Sequence, residues 1–290
     1  MKKEGKVAST MNIVMLGESQ SGKSTTAGHF GCQMDTFDKR VLLKYERESA
    51  ELNKASYKYA WFFDRLARER ERGSSIDVSM WMFKTHKEQQ HMLIDAPGRR
   101  KLISNTVRGI SMADIGIVVI DSQEGQFEAS WASDGVVKDH IVLAYTLGIK
   151  ELIVAVNKLE DHSNKEARYH QIKDEMAPFI KKTGFKVDRT PFVPVSGLNG
   201  LNLTEPSVQF EWYKGPTLLG AIEQVQLSLR QINKPFRMPI HKIFKIGGVG
   251  TVVIGKVVAG TFHSEADVVM GPMDRQITTR SIEINFEALP

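Results

Sequence analysis

At 290 residues, with 41% hydrophobic and 25% charged side chains, the chain can bury one large core and part of a second. Its net charge of +5, from 39 basic and 34 acidic residues, suits a phosphate-rich partner only mildly, and the single cysteine, Cys32, excludes an internal disulfide and, with eight scattered histidines, argues against a zinc cluster. No apolar run reaches the ~18 residues of a membrane span and Met1-Lys2-Lys3 leads into no signal-peptide core, so a reducing cytosol is the expected setting.

The apolar run from Met11 to Leu16 reads as a buried strand, and Gly17-Glu18-Ser19-Gln20-Ser21-Gly22-Lys23-Ser24-Thr25 follows it. That nonapeptide matches G-x-x-x-x-G-K-[ST] in the strand-to-helix setting the motif requires. Gly17 and Gly22 let backbone N–H groups turn inward around a phosphate, Lys23 reaches β and γ oxygens, and the Ser24 hydroxyl is placed for Mg²⁺, with Thr25 beside it. A helix opening after Lys23 adds its positive dipole end. A nucleoside triphosphate is the expected ligand.

The stretch from Tyr45 to Arg72 is dense in charges of both signs and reads as a solvated helix face, with Tyr57, Tyr59, Trp61, Phe62 and Phe63 as packing residues. Further along, His91-Met92-Leu93-Ile94 is a short strand ending in Asp95-Ala96-Pro97-Gly98. There a strand-end carboxylate can hold Mg²⁺ through water and the Gly98 N–H can meet a γ-phosphate. Leu152 to Val156 is another buried strand and runs into Asn157-Lys158-Leu159-Glu160-Asp161, close to the N-K-x-D pattern that reads guanine. Phe192 to Val195 then ends in Ser196-Gly197-Leu198, whose N–H groups can meet the guanine carbonyl.

Up to about Gln231 strand-like runs alternate with amphipathic segments, the pattern of an α/β domain with a mostly parallel sheet covered on both faces. Leu218, Ile222, Val225 and Leu229 share one helical face and close that domain, giving boundaries of 1–232 and 233–290. Asn233-Lys234-Pro235 and Pro239 break the helix, and Ile240 to Phe262 and Ile277 to Ile284 alternate as in part of an antiparallel β-barrel. The Gly247-Gly248-Val249-Gly250 cluster reads as a hairpin turn.

These motifs, in this order, resemble those of the translational GTPases. Along nearly its whole length the chain is similar to the elongation factor 1-alpha branch, the eukaryotic and archaeal side of the elongation factor Tu family. Tyr57-Lys58-Tyr59-Ala60-Trp61, Glu69-Arg70-Glu71-Arg72-Gly73 before Ile76-Asp77, Leu143-Ala144-Tyr145-Thr146-Leu147-Gly148 and Lys245 to Val252 carry the likeness. The resemblance implies GTP and GDP as ligands with Mg²⁺ held by Ser24, Ser75 and Asp95. It further implies Asn157, Lys158 and Glu160 at the base, partners in aminoacyl-tRNA, the ribosome and an exchange factor, and a cytoplasmic monomer.

The departures from the family pattern bear on mechanism. Glu18-Ser19-Gln20 replaces His-Val-Asp in the phosphate loop, Ser75 replaces the metal-ligating threonine, and Glu160, one methylene longer, replaces the guanine-reading aspartate, with Asp161 beside it as a substitute. Arg99 stands where the family has the histidine that orients the attacking water, and arginine offers donors only. No residue is therefore assigned as catalytic. The chain ends at Pro290, partway through the family's second domain, and the third is expected to be absent. The leading expectation is a GTPase acting in aminoacyl-tRNA delivery. Its rivals are a shortened paralogue that binds GTP as a regulatory module and hydrolyses it weakly, and an ATP-using P-loop enzyme.

Overall fold

The computed structural model describes residues 11–85, 89–226, 231–284 and 287–289. The chain divides into two units, Met1–Leu227 and Ser228–Pro290. The first is built around a six-stranded sheet in the order β2-β3-β1-β4-β5-β6. In chain order its elements are β1 (Met11–Leu16), α1 (Lys23–Gln33), α2 (Lys39–Glu51), α3 (Ala67–Arg72), β2 (Ser79–Lys84), β3 (Gln90–Asp95) and α4 (Ile103–Met112). These are followed by β4 (Ile115–Asp121), α5 (Gln126–Trp131), α6 (Val136–Thr146), β5 (Glu151–Asn157), α7 (Lys165–Thr183), β6 (Phe192–Val195) and α8 (Leu218–Gln224). All strands run parallel except β2, which pairs antiparallel with β3 at the sheet edge.

Successive side chains of a strand point to opposite faces, and the apolar residues here feed two cores in that alternation. Val14, Leu16, Ile94, Val118, Ile120, Val154 and Val156 pack under α4, α6 and α7. Ile13, Met15, Leu93, Ile117, Val119, Ile153 and Val193 pack under α1 and α8. Two-sided burial explains why the strands read as near-continuous apolar runs. β4 is buried at every position and lies beside β1, an apolar run like β5 and β6 that passed unassigned because no recognised motif follows it.

β1 sits between β3 and β4, although the chain visits β3 first and returns across the sheet to reach β4. The loop after β1 therefore opens at the point where the strand order reverses, the position where open parallel sheets bind ligands. The residues that end β1, β3, β4, β5 and β6 all lie along one edge of the sheet.

Two segments differ from expectation. The last helix of the first unit stops at Gln224 with Val225 extended as its cap, so Val225 leaves the helical face, and Leu229 lies outside the described residues. The charged stretch after Tyr45 departs at Glu69: α2 is solvated and Trp61, Phe62 and Phe63 are buried as packing residues, both as expected, but Glu69 is buried as well, its carboxylate accepting the N–H groups of Leu66, Ile76 and Asp77.

The second unit comprises β7 (Ile240–Ile246), β8 (Gly250–Gly255), β9 (Asp267–Met270), β10 (Arg275–Thr278), β11 (Ile282–Ile284) and β12 (Glu287–Leu289). They form three antiparallel pairs, β7 with β8, β9 with β10 and β11 with β12. The glycine cluster is the β7–β8 turn, as its spacing predicts. Strand structure ends at Gly255 rather than Phe262, the following residues holding only the isolated bridge between Arg237 and Ala259. Among the described residues no helix is long and apolar enough to cross a membrane.

Candidate functional site

Two clusters of side chains meet at the carboxyl edge of the sheet. The first surrounds the turn from β1 into α1. Gly17 has φ +133°, and a Cβ there would lie 2.3 Å from the Val119 carbonyl oxygen, so only glycine lets the chain leave β1 against β4. Gly22 caps α1 with φ +94°, and its missing side chain leaves room for the Asn157 amide, 2.2 Å from where a Cβ would stand. Lys23, the first residue of α1, is 5% exposed and donates from Nζ to the Glu18 carbonyl at 2.6 Å. Burial lowers its pKa, opposed by the charges of Asp95, Glu18 and Asp64.

Around Lys23 the three residues expected at the metal come together. Ser24 Oγ donates to Asp95 Oδ2 at 2.6 Å, and Ser75 Oγ lies 2.9 Å from Ser24 Oγ. Ser75 donates in turn to Asp64 Oδ1 at 2.7 Å. Burial pushes Asp95 up to about 6, against the Ser24 hydrogen bond and the Lys23 charge, and pushes Asp64 up to about 7, with Asp95 adding to the rise. Asp95 Oδ1 is buried and has no partner. Two hydroxyls and two carboxylates with an unused acceptor form an all-oxygen set, which fits a hard divalent ion completing its shell with phosphate and water. Gly98 closes over this cluster: a Cβ there would lie 2.5 Å from Lys23 Nζ and 2.6 Å from Ser19 N. Thr25 follows in α1 and makes no side-chain hydrogen bond among the described residues. Arg99 is exposed and likewise makes none.

The second cluster lies at the ends of β5 and β6. Asn157 is buried, donates from Nδ2 to the Ser21 carbonyl at 2.8 Å and accepts the Gly197 N–H at Oδ1 at 2.8 Å. It therefore ties the phosphate loop to the loop after β6. Lys158 has φ +65° and reaches the Gln20 carbonyl at 3.1 Å and the Asp121 carboxylate. Glu160 Oε1 accepts from Ser196 Oγ and from Asn199 Nδ2, while its Oε2 is buried without a partner. Asp161 turns elsewhere, accepting from Gln123 Nε2 at 3.1 Å. The longer side chain of Glu160, not its neighbour, thus lies against the Ser196 loop. Leu198 stands at the tip of that loop, 45% exposed.

Sequence reasoning missed three residues of this edge. Asp64 follows the buried Trp61-Phe62-Phe63 run, and neither its type nor its spacing marks it. Asp121 ends an apolar strand just as Asp95 and Asn157 do, a signal that could have found it. His140 on α6 accepts the Gly17 N–H at Nδ1, 3.2 Å away, so its ring proton sits on Nε2.

Residues 8–230 match the family described as the elongation factor Tu GTP binding domain. Elongation factor 1-alpha of Entamoeba histolytica is 45% identical over 279 residues, covering 96% of this chain and 63% of that protein, so the chain spans less than two thirds of its relative. Among solved structures, sup35 complexed with GDP aligns at a TM-score of 0.56 and 29% identity over 94% of this chain and 58% of its own. The Saccharomyces cerevisiae Ski7 GTPase-like domain, bound to GDP and inorganic phosphate, gives a TM-score of 0.77 at 21% identity over 97% and 67%, a likeness of fold.

The His140 environment carries a pH dependence. Burial, with the Lys23 charge adding to it, holds the folded-state pKa down at about 3. Below the ordinary value of about 6.5 the unfolded chain takes up a proton that the folded chain refuses, so stability falls on acidification. Between pH 7 and pH 5 the native protein is expected to lose about 1 to 2 kcal/mol more unfolding free energy than His140→Asn, which keeps an acceptor for Gly17. Urea titrations at the two pH values measure this, and equal losses would contradict a neutral buried imidazole.

Proposed function

The chain belongs to the family of the elongation factor Tu GTP-binding domain, and on that premise we propose that it binds GTP and GDP with Mg²⁺ and hydrolyses GTP in the delivery of aminoacyl-tRNA to the ribosome. The observation that carries this reading is Asn157, whose side chain joins the phosphate loop at Ser21 to the base loop at Gly197. Lys23 supplies a buried point charge for the β and γ oxygens, and the N-terminus of α1 adds its dipole. Ser24, Ser75 and Asp95 hold Mg²⁺, and Asp64 keeps Ser75 turned toward it. When bound, the metal neutralises charge on the phosphates. Gly17, Gly22 and Thr25 line the same loop, and Gly98 senses the terminal phosphate from above.

At the base, Lys158 braces the loop through Gln20 and Asp121, and Glu160 offers its free Oε2 to the guanine ring N–H groups. The setting is cytosolic, with tRNA, the ribosome and a nucleotide exchange factor as partners and the chain acting as a monomer. Residues 1–232 form the GTP-binding domain and 233–290 part of a second, barrel-type domain.

A site that pairs every polar atom of a base edge rejects the wrong base by leaving buried groups unpaired. Glu160→Ala is expected to reduce the preference for GTP over ATP at least tenfold, since charge-assisted hydrogen bonds contribute roughly 1.5 to 3 kcal/mol. Asp161→Ala is expected to leave it unchanged. Competition titrations with the two nucleotides check this, and the reverse ranking would move base reading to Asp161.

Hydrolysis transfers the γ-phosphoryl group to water, leaving GDP and phosphate. Arg99 occupies the position from which the family aligns that water, yet it has no lone pair to accept the water proton. Binding is therefore intact and hydrolysis slow. Arg99→His is expected to raise the ribosome-stimulated single-turnover rate about tenfold or more, within the range of a positioned general acid or base, with GTP affinity nearly unchanged. A slower variant would show that the guanidinium assists the transfer.

A further inference from the structure

His29 lies on α1 and belongs to neither cluster by sequence, yet it touches the base loop directly. Its Nδ1 is 2.9 Å from the Gly197 carbonyl oxygen. A carbonyl only accepts, so the ring carries its proton on Nδ1 and donates it. Burial holds the His29 pKa below its ordinary value, against the pull of the Gly197 and Leu198 carbonyls, and the ring is neutral near pH 7. One face of the imidazole stacks on Tyr59, with centroids 3.9 Å apart and planes 9° from parallel. Gly28, just before it, allows that approach, since a Cβ would lie 2.0 Å from the Tyr59 carbonyl oxygen. One turn further along α1, Gln33 Nε2 donates to the Gly200 carbonyl at 2.8 Å. The loop is thus suspended from α1 by two side-chain donors.

The consequence follows from peptide geometry. In a trans peptide the C=O and N–H point in opposite directions, so fixing the Gly197 carbonyl toward α1 turns the Leu198 N–H away from it. The other amides of the loop are spent: Ser196 N–H on the Leu201 carbonyl, Gly197 N–H on Asn157, Asn199 N–H on Ser196 Oγ and Gly200 N–H on the Ser196 carbonyl. Among the described residues the Leu198 N–H has no acceptor. The same loop holds Glu160, whose Oε2 is also unused. An open N–H donor and an open carboxylate acceptor complement a purine edge that carries a 6-oxo acceptor next to an N1–H donor. Adenine presents the inverse pattern, an amino donor next to a bare nitrogen.

We propose that His29 is a positioning residue for base recognition, its Nδ1–H fixing the Gly197–Leu198 peptide so that the Leu198 N–H meets the 6-oxo group of guanine. The inference rests on the guanine reading of the site given above. Tyr59 keeps the imidazole in register, and because Tyr59 belongs to the segment leading to Asp64 and Ser75, the base loop and the metal side share a single buttress on α1.

The test uses two probes, GDP and 2-aminopurine riboside diphosphate, which keeps the N2 amine and the phosphates but lacks the 6-oxygen and, with it, the N1–H. His29→Ala is expected to weaken GDP binding about tenfold and leave the analogue within about twofold of wild type. Asparagine places an amide donor near the Nδ1 position, so His29→Asn is expected to recover GDP affinity to within about threefold of wild type. Wild-type protein that binds both probes equally would contradict the guanine reading itself, before any variant is measured. Wild-type preference for GDP that survives in His29→Ala, or a loss equal for both probes, would overturn the role of His29. A selective loss that asparagine fails to rescue would also overturn it, by assigning the effect to the ring stack.

Discussion

A lysine ammonium taken almost wholly out of water is the constraint around which the first unit is organised. Lys23 is 5% exposed, and its own loop gives it one close acceptor, the Glu18 carbonyl. Burying such a charge is costly unless other groups compensate it. Compensation comes from Asp95 at the end of β3 and Asp64 before α3, both themselves pushed toward the neutral form by burial. Three ionisable groups that each resist desolvation are held together because the strand order delivers them to one edge. On the proposed reading a phosphate would answer the lysine and a divalent ion the carboxylates, so that the cluster would suit a metal–nucleotide pair rather than either alone.

The departures from the family pattern take on physical meaning in this frame. Lys23 engages the backbone oxygen of Glu18 rather than its carboxylate, which instead accepts the Ser19 N–H at 2.9 Å. Replacement of the usual side chains after the first glycine therefore leaves the lysine contact untouched. Serine at position 75 retains the hydroxyl that bridges Ser24 and Asp64. Glu160 uses its extra methylene to lie against Ser196, with one oxygen to spare. Arg99 alone changes the chemistry available, since its side chain makes no hydrogen bond among the described residues and no rotamer gives it an acceptor.

What could be read from sequence was local. The strands before Gly17, Asp95, Asn157 and Ser196 announce themselves as apolar runs ending in functional residues, and each was placed within a residue of its observed bounds. The antiparallel edge β2 and the buried β4 carried no motif at their ends and passed unread. Contacts that cross the fold were also invisible: His140 meets Gly17 across 123 residues and His29 meets Gly197 across 168. A histidine on a helix looks the same whether it faces core, solvent or a loop end, and only the packing of α1 and α6 on the sheet distinguishes these cases. The hairpins of the second unit were legible from glycine spacing, but the extent of β8 was not, because apolar alternation continues past Gly255 where pairing stops.

The central claim is that the Lys23 charge exists to meet phosphate. Calorimetric titration of GDP in the presence of Mg²⁺ into native protein and Lys23→Ala, each first shown to be folded, tests it most directly. Loss of one charge-assisted partner, roughly 1.5 to 3 kcal/mol, means at least a tenfold weaker affinity in the variant. Equal affinity in the two proteins would contradict the claim and leave the buried ammonium as a structural element of the β1–α1 turn.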